Sequence, residues 1–377
     1  MTPKKKRKNA HDLRGAGKLA VDATTRVTGV VERMNHTIGG APARLFSAPV
    51  YASIRAIANL VGVSVDFALA QLEPVLGESA PSAERDALLA ALNGVVGDYL
   101  RDTGNPLAIT THLRTVGAPR PRIVVLVHGS CMNDRQWRRD GHDHGEALAR
   151  DLDATAVYVL YNSGRHVSEN GRELAAQLQA LVSGWPIAIE SITLVGHSMG
   201  GLVARSACYY AEDARLAWRD KVRSLVCIGT PHHGAPLERI GNLLQLLGGV
   251  SRYSAPIARM GRLRSAGVTD LRFGNVIDEH WRGHDRFEKN GDDRRAVALP
   301  EDVACFALAG TTAKSGEGKK LPGDGLVPVD SALGRHAKKA LVLFPESHRA
   351  IAYGVGHLDL LGASVYPLLR GWLTSEG

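Results

Sequence analysis

The sequence predicts an α/β fold in which a mostly parallel sheet carries helices on both faces, with a helical extension before it and one insertion within it. From Arg122 onward, short apolar runs alternate with segments of helical periodicity, as in a parallel sheet covered on both faces. Residues 123–127, Ile-Val-Val-Leu-Val, form a continuous apolar run typical of a strand buried on both faces. Between Pro236 and Pro300 the alternation stops, and we place the insertion there.

The chain before this pattern divides into two parts. Residues 1–18 form a polar tail whose basic run, residues 4–8, holds much of the formal net charge of +8. We expect a disordered tail, with a nuclear-import signal or a tether to lipid or nucleic acid as alternatives. Residues 19–115 have helical patterns, including a helix from an N-cap at Ser82 to about Leu100. We expect this extension to pack on the second domain; docking to a membrane or a partner is the alternative.

The second domain, residues 116–377, contains the strand and helix alternation. Strands are predicted at residues 123–127, 156–160, 192–195, 222–228, 303–308 and 340–344, and helices at residues 146–152, 173–182 and 202–211. The insertion, at about residues 236–300, has an apolar cluster at residues 240–247 followed by a charged segment. An insertion between two such strands lies over the strand ends, so we expect it to form a cap or lid over a site.

A serine flanked by glycines follows one of these strands. Residues 196–200 read Gly-His-Ser-Met-Gly, between the strand at 192–195 and the helix that begins near Leu202. A serine in this pattern sits on a sharp turn, where larger neighbours than glycine would collide. Its hydroxyl is presented at the N-terminus of the helix, whose dipole favours developing negative charge. Ser198 is therefore the candidate nucleophile.

A hydroxyl needs a base to act as a nucleophile, and chain order selects the candidates. Where a serine is presented in this way, the acid and then the histidine follow it along the chain. His357 comes after the last predicted strand and is the candidate base; His348 is the alternative, while His336 precedes that strand. Asp324 follows the strand at 303–308 and is the candidate acid, with Asp330 second.

The anion formed during acyl transfer needs two N–H donors that are already in place. One is the backbone N–H of Met199, directly after the nucleophile. The other should come from the loop after residues 123–127, which reads His-Gly-Ser-Cys. We assign it to the backbone N–H of Ser130, with Cys131 as the alternative.

Composition and spacing exclude several other classes of function. The four cysteines match neither a zinc ligand set nor a redox pair, and free thiols suit a reducing compartment. No secretory signal or membrane-spanning stretch is recognised, so we expect a cytoplasmic protein. No P-loop or dinucleotide motif follows a strand, and we expect no cofactor and no specific nucleic acid partner. His142, Asp143 and His144 lie in a loop with no further ligand cluster, so we interpret them as solvated and expect no metal.

Together these motifs resemble the lipases and esterases of the α/β-hydrolase superfamily. The resemblance rests on His128-Gly129 and on residues 196–201, 229–234 and 324–328, and it covers about residues 120–370. The similarity is strongest to the branch that includes bacterial triacylglycerol lipases and GPI inositol-deacylase-like proteins. In secreted lipases of that branch, an Asp two residues after the base helps to bind calcium, and Asp359 matches that position. No second ligand segment matches.

The resemblance implies hydrolysis of carboxylic esters through an acyl-enzyme, with Ser198, Asp324 and His357 as the triad and an apolar lid at about residues 236–300. The apolar residues 243–247 predict a lipophilic substrate, either a small-molecule or a lipid ester. An acyltransferase, a thioesterase or a polyester depolymerase would use the same triad. A hydrolase-like scaffold without activity, docking to a membrane or partner through residues 19–115, is an alternative of a different class.

Overall fold

The computed structural model describes residues 83–102, 104–236, 265–284, 292, 294–316 and 321–374. The predictions for the tail at residues 1–18, for residues 19–82 of the extension and for most of the cap insertion lie outside these described residues.

One seven-stranded sheet forms the centre of the fold, with strand order β1-β5-β2-β6-β7-β8-β9. All neighbouring pairs are parallel except β1 and β5 at one edge, so the predicted mostly parallel sheet is confirmed. A separate antiparallel pair is formed by β3 and β4. The strands are β1 His112–Val116, β2 Arg122–Val127, β3 Arg138–Arg139, β4 His142–Asp143, β5 Ala154–Leu160, β6 Ser191–His197, β7 Val222–Ile228, β8 Ala304–Thr311 and β9 Arg349–Tyr353.

Helices cover both faces of the sheet, as the sequence predicts. They are α1 Ala83–Asp102, α2 His144–Asp151, α3 Val167–Ser183, α4 Met199–Asp213, α5 Ala266–Asp270, α6 Val329–Ala332 and α7 Tyr366–Thr374. The connection through α2 runs one way along the sheet, while those through α3 and α4 run the other way. Because such crossovers are right-handed, α2 lies on the opposite face from α3 and α4. Accordingly α3 packs along α4, and α7 packs on α2.

The described part of the N-terminal extension belongs to the same hydrophobic core. Helix α1 is apolar on its buried side, where Leu88, Leu92 and Leu100 are almost fully enclosed. Its backbone holds the start of α5, since the Ser265 hydroxyl donates to the Gly94 carbonyl at 2.6 Å. Strand β1 pairs with β5 in the sheet, so the domain boundary predicted between residues 115 and 116 falls inside a strand. In the described ranges, no helix has both the length and the apolarity needed to cross a bilayer.

The prediction of a last strand at residues 340–344 is wrong. This run begins in a short 3-10 helix, Lys339–Leu341, and the last strand of the sheet is β9, which pairs in parallel with β8. The apolar run instead covers a loop. Phe344 is buried with its ring centroid 5.0 Å from that of His232, whereas Val342 is 42% exposed. Its hydrophobic residues therefore pack outside the sheet.

Candidate active site

Ser198 occupies the turn between β6 and α4 in a backbone conformation that side chains rarely adopt. Its φ is 55° and its ψ is −124°. Such a conformation costs on the order of 1–3 kcal/mol and persists only where the surrounding structure fixes it. The turn is fixed here by the Ser198 N–H, which donates to the Ile228 carbonyl of β7 at 2.8 Å. The fold therefore holds this serine in a strained conformation at the carboxyl end of the central strands.

The glycines of the motif allow helix α4 to approach the sheet. A Cβ at Gly200 would lie 2.0 Å from the Val127 carbonyl oxygen of β2. A Cβ at Gly196 would lie 2.4 Å from the Gly201 nitrogen, inside the first turn of α4. Any larger residue would push α4 away from the strands. The spacing of the motif thus reflects close packing of the helix start against β2 and β6.

Asp324 and His357 form a buried hydrogen-bonded pair in the loops that follow β8 and β9. The Nδ1 atom of His357 lies 2.7 Å from Oδ2 of Asp324, and each residue is 3% exposed. The other carboxylate oxygen, Oδ1, accepts the backbone N–H groups of Leu326 at 3.0 Å and Val327 at 2.8 Å. The His357 N–H also donates to the Asp324 carbonyl at 2.9 Å. Both the ring and the main chain of His357 are therefore held by the Asp324 loop.

This pair adjoins the turn that carries Ser198. His197, the residue before Ser198, has its Nε2 3.1 Å from the His357 carbonyl oxygen, and the two ring centroids are 4.9 Å apart. Gly229, with φ of 58°, follows the Ile228 carbonyl that holds Ser198; a Cβ there would lie 3.4 Å from Cε1 of His357. The Nε2 atom of His357 is buried and has no hydrogen-bond partner among the described residues. One ring nitrogen of His357 is thus left available beside the serine turn.

The backbone N–H of Met199 directly follows Ser198, and the loop after β2 lies against the serine. Met199 is the first residue of α4, and the first N–H of a helix has no acceptor within the helix. The loop after β2 contacts the serine directly, since a Cβ at Gly129 would lie 3.1 Å from the Ser198 Cβ. In that loop the Cys131 N–H donates to the Ser163 hydroxyl at 2.9 Å. Because this donor is already engaged, the geometry favours the N–H of Ser130 over that of Cys131.

The loop after β2 is held in place by a buried histidine whose role the sequence analysis did not identify. The ring of His128 stacks on Tyr161 with centroids 4.3 Å apart, and the Tyr161 hydroxyl donates to the His128 carbonyl at 2.8 Å. Burial lowers the pKa of His128 to about 4, so the ring is neutral at physiological pH. The His-Gly pair at residues 128–129 was the only sequence signal for this support.

The runner-up residues of the sequence analysis are engaged elsewhere. Nδ1 of His348 lies 3.1 Å from the Cys305 carbonyl oxygen, and its ring packs on Phe306. Asp330 is exposed and lies 3.9 Å from the Arg335 guanidinium.

The interpretation of the loop around residue 143 as solvated is wrong. His144 is fully buried, and its two ring nitrogens lie 2.8 Å from Nε2 of His142 and 2.9 Å from the Leu360 carbonyl oxygen. Asp143 is also buried, accepting from the Glu146 N–H at 3.1 Å as the N-cap of α2. The sequence pattern suggested solvated residues because it does not show their partners. One partner, Leu360, is distant along the chain, and another is a backbone N–H at the start of α2.

Asp359, which matches a calcium ligand of secreted lipases, forms an ion pair with Arg139. Oδ1 of Asp359 lies 2.8 Å from the Arg139 guanidinium, and Oδ2 accepts the Gly356 N–H at 3.2 Å. Within the ranges that the structure describes, no cluster of three or more His, Cys, Asp or Glu residues is arranged to hold a metal ion.

Residues 119–282 match the family model of the PGAP1-like alpha/beta domain. The matched segment includes the Ser198 turn and ends before Asp324 and His357. With the observed sheet, this match confirms the resemblance to the lipase and esterase branch of the α/β hydrolases. No curated protein sequence matches the chain.

Among solved structures, the chain is similar to the mature form of Bacillus licheniformis lipase BlEst2, with 19% identity over 70% of this chain and 98% of that chain and a TM-score of 0.46. A Pyrobaculum calidifontis esterase has 14% identity over 76% of this chain and 90% of that chain, with a TM-score of 0.43. A lipase-esterase related protein from Clostridium acetobutylicum ATCC 824 has 14% identity over 71% and 99% of the two chains, with a TM-score of 0.39.

Proposed function

We propose that this chain is a serine hydrolase that cleaves carboxylic esters of lipophilic substrates through Ser198, His357 and Asp324. The observation that carries the proposal is the buried 2.7 Å contact between Nδ1 of His357 and Oδ2 of Asp324. An ionised carboxylate can only accept, so the ring proton resides on Nδ1 and the lone pair on Nε2. That lone pair lies beside the turn of Ser198 and has no partner among the described residues.

In the first half of the reaction, Nε2 of His357 takes the proton of the Ser198 hydroxyl while Oγ attacks the ester carbonyl carbon. The Asp324 carboxylate keeps the ring oriented and stabilises the imidazolium that forms. The carbonyl π electrons move onto oxygen, which gives a tetrahedral oxyanion. Collapse of this intermediate breaks the bond to the alcohol oxygen, which leaves with the proton from Nε2.

The oxyanion is stabilised by the N–H groups of Met199 and Ser130 and by the positive end of the α4 dipole. Loss of one such donor typically reduces turnover by about 10²–10³. In the second half, water loses a proton to Nε2 of His357 and attacks the acyl-enzyme carbonyl. Collapse returns the proton to Ser198 Oγ and releases the acid.

The lipophilic substrate is proposed from the apolar residues 243–247 of the insertion, which lie outside the described residues. In sheets of this kind, ligands bind at the carboxyl ends of the strands, where Ser198 is presented. Apolar side chains in an insertion between two such strands favour an ester with a long acyl or alcohol group.

The nucleophile is tested by Ser198→Ala, with Ser206→Ala as a matched control. Ser206 is a buried serine on the same helix whose hydroxyl has no partner among the described residues. Hydrolysis of p-nitrophenyl butyrate should fall by at least about 10⁴-fold in Ser198→Ala, because loss of a triad member typically costs that much or more. Ser206→Ala should keep the parent rate. Equal activity of the two variants, both folded by circular dichroism, would refute the assignment.

A fluorophosphonate probe separates the enzyme from an inactive scaffold. An activated serine is labelled covalently, so we expect full labelling of the parent protein and none of Ser198→Ala. A panel of oxygen esters, thioesters and polyesters of different chain lengths, each with and without an acceptor alcohol, then identifies the acyl group and the acceptor. Faster turnover of thioesters, or transfer to the alcohol, would change the substrate class while leaving the triad in place.

A further inference from the structure

A cavity lies beside helix α4, and none of the three triad residues lines it. It has about 320 Å³ of empty space, part of it open to solvent. Its lining includes the apolar residues Ala340, Leu341 and Leu343. The lining also includes basic side chains: Arg205 of α4, His232 and His233 from the loop after β7, His280, Arg294 and Arg295.

Arg205 carries a buried charge that pairs with no carboxylate in the part of the chain that the structure describes. The residue is 5% exposed, and among the described residues no acidic side chain forms an ion pair with it. Its guanidinium donates to Nδ1 of His232 at 3.2 Å and to the Val297 carbonyl at 2.9 Å, but its buried Nε has no partner in these ranges. Burial lowers the pKa of Arg205 to about 10, so it remains a cation at neutral pH.

His232 presents a second buried donor. A guanidinium can only donate, so its contact requires a lone pair on Nδ1 and places the ring proton on Nε2. That Nε2 is buried, the residue is 1% exposed, and no acceptor for it occurs in the described part of the chain. Burial, together with the charge of Arg205, keeps the pKa of His232 well below its usual range, so the ring stays neutral.

Two other basic side chains of the lining, Arg294 and His280, have partners, whereas both ring nitrogens of His233 are buried without a hydrogen-bond partner among the described residues. Arg294 makes two 2.8 Å contacts to the carboxylate of Asp292 and donates to the Gly274 carbonyl at 2.7 Å. His280 accepts the Val276 N–H at 3.2 Å, and its Nε2 lies 2.9 Å from the Arg295 carbonyl oxygen. Among the described residues, Arg205 therefore carries a charge that no carboxylate balances, and its neighbour His232 presents an unused donor.

Buried polar groups in proteins are normally hydrogen-bonded, and a buried charge without a counter-charge is strongly destabilising. We propose that this cavity is a binding site for a phosphate-class oxyanion, held by the guanidinium of Arg205 and by Nε2–H of His232. An oxyanion supplies the missing negative charge and several acceptor oxygens, and arginine suits phosphate because its N–H groups form a rigid fork. Free phosphate and a phosphate monoester share this recognition chemistry, since both present phosphate oxygens to the same donors.

The proposal is tested by titrating the full chain with inorganic phosphate at constant ionic strength, maintained with sodium chloride. Calorimetry should give one site per chain, and a phosphate concentration about 100 times the Kd should raise the Tm by roughly 5 °C, because the ligand binds only the folded state. Arg205→Gln should weaken phosphate binding at least about tenfold. The control Arg223→Gln removes an exposed arginine of β7 and should bind as the parent protein does.

If Arg205→Gln does not fold, the variants His232→Leu and His232→Gln test the proposed phosphate site. His232→Leu removes the donor and should weaken phosphate binding by about tenfold, whereas His232→Gln can accept from Arg205 and donate to the anion. His232→Gln should therefore stay within about threefold of the parent affinity. Parent-like affinity of His232→Leu for phosphate would overturn the site.

The source of the anion is identified by comparing inorganic phosphate with glycerol 3-phosphate. Tighter binding of the monoester would assign a phosphorylated headgroup or metabolite, and tighter binding of phosphate would assign the free ion. Either result supports the oxyanion site, provided that Arg205→Gln weakens it. No saturable binding of either compound to the parent protein, or binding no stronger than that of chloride, would refute the proposal.

Discussion

Replacing Asp324 by Asn exchanges one carboxylate oxygen for an NH₂ group. The variant tests whether Asp324 determines which ring nitrogen of His357 carries the proton. In the parent protein, Oδ1 accepts two backbone N–H groups, while Oδ2 lies 2.7 Å from Nδ1 of His357. In Asp324→Asn, the amide oxygen remains the only acceptor for the two backbone donors. The NH₂ group must then face Nδ1 of His357.

The size of the effect follows from this geometry. Two donors cannot share a hydrogen bond, so Nδ1 of His357 must present its lone pair and the ring proton moves to Nε2. A protonated Nε2 cannot accept the proton of Ser198. We expect kcat/KM to fall by about 10⁴-fold, equivalent to about 5.5 kcal/mol of activation free energy, with the free energy of unfolding changed by less than about 2 kcal/mol.

The assay is hydrolysis of p-nitrophenyl butyrate at pH 7 to 9, with urea unfolding of the same preparations. Asp330→Asn is the matched control, because Asp330 lies six positions later and is exposed beside Arg335. It should retain parent kinetics. Less than a tenfold loss in Asp324→Asn would refute the reasoning, and so would an equal loss in Asp330→Asn.

Two further predictions concern the folding free energy. Gly229→Ala should lower the unfolding free energy by about 2 kcal/mol and reduce turnover. The φ of Gly229 is 58°, and the new Cβ would lie 2.8 Å from Leu360 Cδ1 beside His357. Urea unfolding checks this against Gly371→Ala, a helical position with no atom within 4 Å of the new Cβ; equal stability of the two variants would contradict it. Burial lowers the pKa of His144 to about 4, so between pH 4 and 6.5 the unfolded chain binds more protons and stability rises with pH. This contribution is complete above pH 6.5, so from pH 7 to 4.5 the parent should lose about 2–3 kcal/mol more unfolding free energy than His144→Gln; parallel pH curves would contradict the prediction.

Strand positions were predictable where burial on both faces leaves a continuous apolar run. Strand β7 has the predicted bounds, and β2 differs by one residue at its start. Residues 225–228 of β7 and 123–127 of β2 are apolar and buried, so the pattern there has few alternative explanations, although β7 also contains the exposed Arg223 and the buried Ser224. The proposed positions of Asp324 and His357 depended on chain order along this sheet, and order is insensitive to small errors in strand bounds.

The edge of the sheet was less predictable. Strand β9 has a sheet neighbour only in β8 among the described strands, and its residues are mostly half-buried, so it lacks a continuous apolar run. The more apolar run at residues 340–344 took its place in the prediction, although it packs on the loop that carries His232. His357 follows both segments, which is why its assignment as the base did not depend on choosing the right one.

The proposed oxyanion cavity could not be predicted from sequence. Arg205 lies inside a helix with ordinary periodicity, and its contacts come from residues 232 and 297, distant along the chain. Only coordinates can show that no described carboxylate pairs with this buried cation, because sequence spacing does not show which charges meet.

The loop after β7 links the two proposed sites. Gly229 lies against His357, and His232 lines the cavity; His232 is three positions after Gly229, so their Cα atoms are at most about 11 Å apart. Each site contains buried atoms without partners among the described residues: Nε2 of His357 in one, and Nε of Arg205 with Nε2 of His232 in the other. Buried polar groups are normally hydrogen-bonded, so each of these atoms calls for an explanation. In the proposed reaction the Ser198 proton would partner the first, and in the proposed cavity site an oxyanion would partner the others.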